Sequence, residues 1–253
     1  MSVTWHIRRD AVDAATFCAG RIGGLLTQAI ETRQRATFAI SGGTTSRLLF
    51  ERLAGTGIDW RHVHLFWVDE RAVPPDDPRS NYRLAREHLI APAGIPAPNV
   101  HRVPAELAPE EAAARYEAEI REFFGLTCGR MPSIDIIHRG IGADAHTASL
   151  FPGEVLIENR DRIAAAVYVE KLAEWRITLL PGILLSAPHT VVLAAGEDKA
   201  EPVRAVFREP YNPLLYPAQL GHNRDAEWVL DEAAARRFAE DPEWAQRGRM
   251  PGA

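Results

Sequence analysis

Short apolar runs alternate with segments of helical periodicity along most of this sequence. Residues 36–40 and 189–196 are two such runs, and residues 10–34 repeat apolar side chains at the spacing of a helix. Runs this short are typical of buried strands, and strands that alternate with helices favour a parallel sheet covered by helices. The sequence therefore predicts an α/β fold built on one doubly wound, mostly parallel sheet. The remaining runs cover residues 63–68, 134–137, 163–169, 175–180 and 227–230.

A chain of 253 residues fits one large α/β domain or two small ones. Neither an internal repeat, nor a low-complexity block, nor a change in composition divides it. We therefore expect a single domain over residues 1–253, with a frayed polar tail at residues 241–253.

Charge and composition argue against several classes of partner. The net charge of −5 gives no reason to expect nucleic-acid binding, and an anionic small molecule would need local Arg and Lys side chains. Cys18 and Cys128 are too few for a disulfide framework, and no Cys or His spacing suggests a metal site. The first residues lack the apolar core of a signal peptide, and the longest apolar runs are far shorter than a membrane span. We expect a cytoplasmic protein, a monomer or a weak homo-oligomer, that does not bind membranes.

A loop of glycines and hydroxyl side chains follows the first predicted strand. Residues 41–45 read Ser-Gly-Gly-Thr-Thr and lead directly into a helical pattern. Free N–H groups at a helix N-terminus, together with Ser and Thr hydroxyls, are suited to binding phosphate. The loop is neither a Walker motif nor a dinucleotide fingerprint, so a simple turn with a helix cap is the alternative.

Two more runs end in side chains that can carry chemistry. Residues 63–68 are followed by Asp69-Glu70-Arg71, for which a solvated strand end is the alternative. Residues 134–137 are followed by Gly140 and Gly142, and then by Asp144 and His146. An imidazole can act as a general base near neutral pH, whereas a surface histidine on a turn is the simpler alternative.

These polar segments should meet in space, because the carboxyl ends of parallel strands lie at one edge of a sheet. Lys199 follows residues 189–196 and belongs to the same edge, whereas Arg176 begins its own run, so the pattern does not fix its position. The set combines an anion-binding loop, two or three cations and one candidate base. It predicts a phosphorylated substrate handled by acid–base chemistry, without a metal cluster, a nucleophilic cysteine or a nicotinamide.

Several segments resemble the glucosamine-6-phosphate isomerase/6-phosphogluconolactonase family, on its lactonase side. The most specific is His-Thr-Ala-Ser-Leu-Phe-Pro-Gly at residues 146–153, and the resemblance covers nearly the whole chain. The other matching segments, in chain order, are residues 41–45, 66–71, 80–82, 142–145, 176–178, 196–199 and 228–231.

This resemblance implies hydrolysis of 6-phosphoglucono-δ-lactone to 6-phosphogluconate, the second step of the oxidative pentose phosphate pathway. It also implies a Rossmann-like sheet that binds no dinucleotide, and no cofactor is expected. We expect His146 to be the general base, Asp144 to orient the imidazole or the water, and Arg71 to stabilise negative charge. The expected substrate- and phosphate-binding residues are Ser41, Gly42, Gly43, Thr44, Thr45, Asp69, Arg176 and Lys199.

Two positions depart from the family pattern. Ala145 replaces the usual glycine between the Asp and the His. An alanine there costs about 1 kcal/mol or more if the backbone needs a positive φ. His138 and Arg139 replace an apolar lead-in to the loop, so the local packing and the rim of the pocket are expected to differ.

Three other functions compete with the lactonase prediction. The isomerase/deaminase branch of the family has a Glu five residues after the His and an Asp-Glu-Tyr segment, where this chain has Phe151 and Asp69-Glu70-Arg71. Loss of that Glu argues against isomerisation, which needs proton transfer between two carbons and assisted ring opening. A non-catalytic sugar-phosphate sensor would need only the phosphate site. A purely structural protein would leave the polar strand ends unexplained.

Overall fold

The structure is a computed structural model that describes residues 3–127, 129–222 and 225–239. Its strands form two sheets. The larger sheet has seven strands, all of whose neighbouring pairs are parallel, and the smaller sheet has three antiparallel strands. The strands are β1 (Thr4–Arg8), β2 (Ala36–Ile40), β3 (Val63–Trp67), β4 (Asp69–Arg71), β5 (Val100–His101), β6 (Ile136–Arg139), β7 (Ala164–Val169), β8 (Glu174–Leu179), β9 (His189–Ala194) and β10 (Ala226–Asp231).

Helices connect most of these strands. The longest, α1 (Ala11–Arg33), begins where the Asp10 side chain accepts a hydrogen bond of 2.8 Å from the Asp13 N–H and so caps the helix. The other α-helices of the described residues are α2 (Thr44–Ala54), α3 (Asn81–Ala85), α4 (Ala91–Ala93), α5 (Pro109–Phe123), α6 (Pro181–Ser186), α7 (Ala200–Arg208) and α8 (Glu232–Ala239).

Apolar side chains cover both faces of the larger sheet, because successive residues of a strand point to opposite sides. Val191 of β9 belongs to the larger hydrophobic core together with Ile22 of α1. The next residue, Val192, belongs to a second core together with Val203 of α7. The predicted α/β class with a doubly wound, mostly parallel sheet is confirmed.

The smaller sheet differs from the prediction, which placed all the apolar runs in one sheet. Its order is β4–β8–β7. Parallel strands need a crossover of about a dozen residues or more, and only residues 170–173 connect β7 to β8. These two strands therefore form an antiparallel hairpin, and Asp69–Arg71 pairs with β8 as its own strand instead of ending β3.

The sequence patterns also missed β1 and β5, which are the two edge strands of the larger sheet. The single-domain assignment stays a prediction, and both the expected frayed tail at residues 241–253 and Cys128 lie outside the described residues. Cys18 is buried as a free thiol. Among the helices that the structure describes, none is long and apolar enough to cross a membrane.

The order of the larger sheet, β1–β10–β9–β6–β2–β3–β5, fixes where a ligand can enter. From β2 the chain passes through α2 to β3 on one side, whereas β6 lies on the other side of β2. The loops that leave β2 and β6 therefore diverge and open a crevice at the carboxyl edge, which is where open α/β sheets bind their ligands.

Candidate active site

A cleft of about 200 Å³ lies at this crevice. A second cavity of about 450 Å³ runs along the start of α2, and the two share Gly42, Gly43 and Lys199 in their walls. The structure therefore brings the predicted segments to one rim. The predicted residues that line the cleft are Ser41, Gly42, Gly43, Asp69, Arg71, His146, Arg176 and Lys199, while Thr44 and Thr45 line the second cavity and Asp144 lies behind His146.

The start of α2 offers hydrogen-bond donors to an anion. The helix begins after Gly43, whose φ of +115° is a backbone conformation that glycine adopts without strain. The first N–H groups of a helix have no partner within the helix, and they carry the positive end of its dipole. The hydroxyl of Ser41 is buried in the wall without a hydrogen-bond partner among the described residues. Lys199 adds a positive charge, which is 2.8 Å from the Asp198 carboxylate.

The candidate base is oriented by a neighbouring carboxylate. Nδ1 of His146 lies 2.5 Å from Oδ1 of Asp144, so Nδ1 carries the hydrogen and Nε2 is the basic nitrogen. Within the described part of the chain, no group bonds Nε2. Burial raises the pKa of Asp144, but hydrogen bonds from His146 and Lys171 outweigh it and hold that pKa well below its ordinary value. Asp144 is therefore ionised at neutral pH.

The imidazole packs directly on the backbone of the loop. A Cβ atom at Gly142 would lie 1.9 Å from Nδ1 of His146, so only glycine fits there. The loop closes through a hydrogen bond of 2.8 Å from the Gly142 N–H to the His146 carbonyl. The hydroxyl of Thr147 donates to the Gly140 carbonyl at 3.0 Å. These contacts fix the ring at the mouth of the crevice.

Arg71 is held by a buried polar network. Its Nη1 donates to Oδ1 of Asn81, and Nδ2 of Asn81 donates to the Asp69 carbonyl at 2.8 Å. Asn81 is also in close contact with the loop before α2, because a Cβ at Gly42 would lie 1.7 Å from Oδ1 of Asn81. Asn81 therefore connects Arg71 to the start of α2. Asn81 belongs to the matching segment at residues 80–82, but its contacts with both Arg71 and Gly42 could not be predicted from the sequence.

Glu70 belongs to this network instead of facing solvent. Its carboxylate accepts hydrogen bonds from the N–H groups of Arg71, Asn81 and Tyr82 at 2.7–2.8 Å. It also accepts one from the hydroxyl of Ser80 at 3.0 Å. Burial raises the pKa of Glu70, and these backbone hydrogen bonds oppose that rise. The solvated strand end that the sequence left open is wrong for this residue.

Arg176 and Asp69 line the cleft next to Arg71, because Asp69 shares β4 with Arg71 and Arg176 is the partner of Arg71 on β8. Arg176 is almost fully buried, and its Nη2 donates to Glu174 at 2.9 Å. Asp69 lies 3.9 Å from Arg176 and accepts the Ser149 hydroxyl at 2.7 Å. Arg176 lines the cleft but not the cavity along α2.

Comparison with known proteins now decides the family. The family model described as glucosamine-6-phosphate isomerases/6-phosphogluconolactonase matches residues 9–230. The chain belongs to this family. A 6-phosphogluconolactonase from Nostoc sp. is 36% identical over 216 residues, which cover 85% of this chain and 89% of that relative.

Solved structures of the family share the fold. The structure of a 6-phosphogluconolactonase from Thermotoga maritima is 26% identical, covers 91% of this chain and 100% of its own, and has a TM-score of 0.79. A monomeric glucosamine-6-phosphate deaminase is 18% identical, covers 94% of this chain and 100% of its own, and has a TM-score of 0.78. The likeness to the deaminase shows the fold alone, so the fold does not separate the two activities.

The two departures from the family pattern have different outcomes in the structure. Ala145 has a φ of +65°, so the turn does use the left-handed region at a cost of about 1 kcal/mol. The turn keeps this conformation because the Ala145 N–H donates to the Gly142 carbonyl at 3.0 Å and the Ala145 carbonyl accepts a hydrogen bond from the Ala218 N–H at 2.8 Å.

His138 and Arg139 are both buried and do not line the cleft, so the rim is not altered by them. Burial lowers the pKa of His138 to about 3.

Two further residues contact the site but were not among the predicted catalytic or binding residues. Phe151 lies with its ring centroid 4.2 Å from that of His146. Lys171 reaches the other oxygen of Asp144, Oδ2, from the turn between β7 and β8. No local motif marks Lys171, because the contact depends on how the hairpin packs against the loop.

Proposed function

We propose that this protein hydrolyses 6-phosphoglucono-δ-lactone to 6-phosphogluconate, with His146 as the general base. One observation carries the proposal: a single crevice has helix N–H groups and Lys199 at one end and an imidazole oriented by Asp144 at the other. A phosphorylated sugar lactone has an anion at one end and an electrophilic carbonyl at the other.

The start of α2 is the proposed site for the 6-phosphate. The amides of Gly42, Gly43, Thr44 and Thr45 and the nearby hydroxyls would donate to its oxygens, and Lys199 would neutralise its charge. Binding energy from this remote group would then position the lactone carbonyl.

We assign the sugar end to the remaining polar groups of the wall. Arg176 shares its charge with Glu174 and lines the cleft beside His146, so it suits the sugar oxygens or the near side of the phosphate. Asp69 and the unpartnered hydroxyl of Ser41 complete the binding set.

The chemistry follows from the orientation of the imidazole. Nε2 of His146 takes a proton from water as the water oxygen attacks C1 of the lactone. Negative charge develops on the carbonyl oxygen, where Arg71 would stabilise it. The bond between C1 and the ring oxygen then breaks, and the imidazolium returns its proton to the departing oxygen. General base catalysis of this kind supplies about 10²- to 10⁴-fold in rate.

The isomerase or deaminase reaction is less well supported. Where that branch has a glutamate, this chain has Phe151, whose ring packs against the imidazole of His146. An aromatic ring cannot transfer a proton, so the site lacks the second acid–base group at this position. A lactonase needs only one base and water.

The test is acid release from freshly generated 6-phosphoglucono-δ-lactone, measured against its spontaneous hydrolysis. We expect acid release well above the spontaneous rate and no ammonia release from glucosamine 6-phosphate. Ammonia release would support the deaminase, whereas tight binding of 6-phosphogluconate without turnover of the lactone would support a sugar-phosphate sensor.

A further inference from the structure

The basic residues of this chain are distributed unusually. Of its 29 lysines and arginines, only Lys171 and Lys199 are lysines. Both of them lie at the candidate active site. Lys199 is accounted for by the proposed phosphate site, whereas Lys171 lines neither the cleft nor the cavity along α2.

Lys171 contacts the groups that hold the imidazole. It lies in the turn Glu170–Leu172 at the tip of the hairpin formed by β7 and β8. Its ammonium donates to Oδ2 of Asp144 and lies 4.3 Å from the ring centroid of Phe151. Phe151 in turn packs on His146, so Lys171 reaches the imidazole through two neighbours.

Asp144 is therefore shared between two positive partners. Its Oδ1 bonds Nδ1 of His146, and its Oδ2 bonds the ammonium of Lys171. The ammonium fixes the plane of the carboxylate, and with it the direction in which Oδ1 accepts from the ring. It also offsets the negative charge that would otherwise favour the protonated imidazole.

We propose that Lys171 is a positioning residue, which orients Asp144 and keeps His146 in its neutral, basic form. This inference rests on the proposed function for its kinetic consequences, but its effect on His146 does not depend on the substrate. The ammonium does not touch the reacting atoms, so the role differs from that of Lys199.

The expected effect can be read from the charges around the ring. Asp144 and Lys171 lie behind the ring, and the other titratable groups that line the cleft with His146 are Asp69, Arg71, Arg176 and Lys199. These groups are unchanged by a substitution at Lys171. Without the ammonium, the negative charge of Asp144 is no longer offset, and this favours the protonated form of His146. The pH below which kcat/KM falls should therefore rise by roughly 0.5–1 pH unit in such a variant, a change that fits charges partly exposed to water.

The test is the pH dependence of kcat/KM in Lys171→Gln and Lys171→Arg. In Lys171→Gln the acid limb should move to higher pH by roughly 0.5–1 unit, and kcat on the plateau should fall about 3- to 10-fold with KM little changed. Lys171→Arg keeps the positive charge, so its acid limb should lie at the same pH as that of the wild type. A rise in KM alone would show that Lys171 binds substrate, and an unchanged limb would overturn the proposal.

A matched control lies next to Lys171 on the same turn. Glu170 is exposed, and Glu170→Gln removes the opposite charge without touching Asp144. It should leave the acid limb in place. Equal shifts in both variants would show that any change in the hairpin has the same effect, which would contradict the assigned role.

An NMR titration of His146 separates this inference from the proposed function. Its imidazole signal, identified among those of nine histidines by its loss in His146→Ala, is followed in the wild type and in Lys171→Gln. If the wild type does not hydrolyse the lactone, the proposed function fails while the upward shift of the His146 titration is still expected. If the wild type is active and the titration does not move, the role of Lys171 is wrong.

Discussion

Adding one methyl group at Gly142 should displace the imidazole and remove most of the catalysis. A Cβ at this position would lie 1.9 Å from Nδ1 and 2.1 Å from Cε1 of His146, whereas ordinary contacts are 3.4 Å or longer. The ring must therefore move by about 1.5 Å, and misplacement on this scale can cost about 10²-fold in rate. We expect Gly142→Ala to lower kcat by about 10²- to 10³-fold, approaching the loss of the base itself.

The assay compares acid release from the fresh lactone with binding of 6-phosphogluconate. The phosphate loop lies on a different strand end, so binding should weaken less than about 3-fold if the loop at Gly142 is the only part that moves. Gly24→Ala is the control, because a Cβ at this exposed position in α1 meets no atom within 4 Å. It should leave kcat unchanged and stabilise the helix by about 0.5–1 kcal/mol. Near-normal kcat in Gly142→Ala would refute the claim that the ring is fixed on the backbone.

Two other predictions concern stability and binding. His138 is buried, and its pKa is lowered from 6.5 to about 3, so the unfolded chain binds a proton below pH 6.5 that the folded chain does not. The free energy of unfolding should therefore fall as the pH drops from 6.5 toward 3, and His138→Leu should remove about 2 kcal/mol of that fall by pH 5 in denaturant titrations. An unchanged pH dependence in the variant would contradict this. Lys199→Ala should raise KM about 10-fold or more with kcat nearly kept, and a loss of kcat with normal KM would contradict the phosphate assignment.

Much of the candidate site could be predicted because its chemistry lies in short segments that follow strands. Residues 41–45 and the Asp144–His146 pair are adjacent in sequence, and a parallel sheet brings the ends of their strands together. The backbone at Ala145, where the sequence raised a positive φ as a condition, is another local property, and its φ is positive in the structure. In these cases the contacts that determine the local structure are between residues close together in the sequence.

The features that the sequence did not predict depend on contacts between distant segments. Lys171 meets Asp144 only because the hairpin packs beside the loop, and Glu70 is buried only because residues 80–82 fold back over it. The antiparallel pairing of β7 and β8 was within reach, since the short connection at residues 170–173 excludes a parallel crossover. The edge strand β1 has no continuous apolar run, because its residues are mostly half-exposed.

The most direct test of the central claim is a comparison of kcat and product binding in His146→Ala. If His146 is the general base in the crevice that binds the phosphate, kcat for hydrolysis of the lactone should fall by about 10²- to 10⁴-fold. The Kd for 6-phosphogluconate should change far less, because the donors at the start of α2 are untouched. An unchanged kcat would contradict the account, whatever the effect on binding.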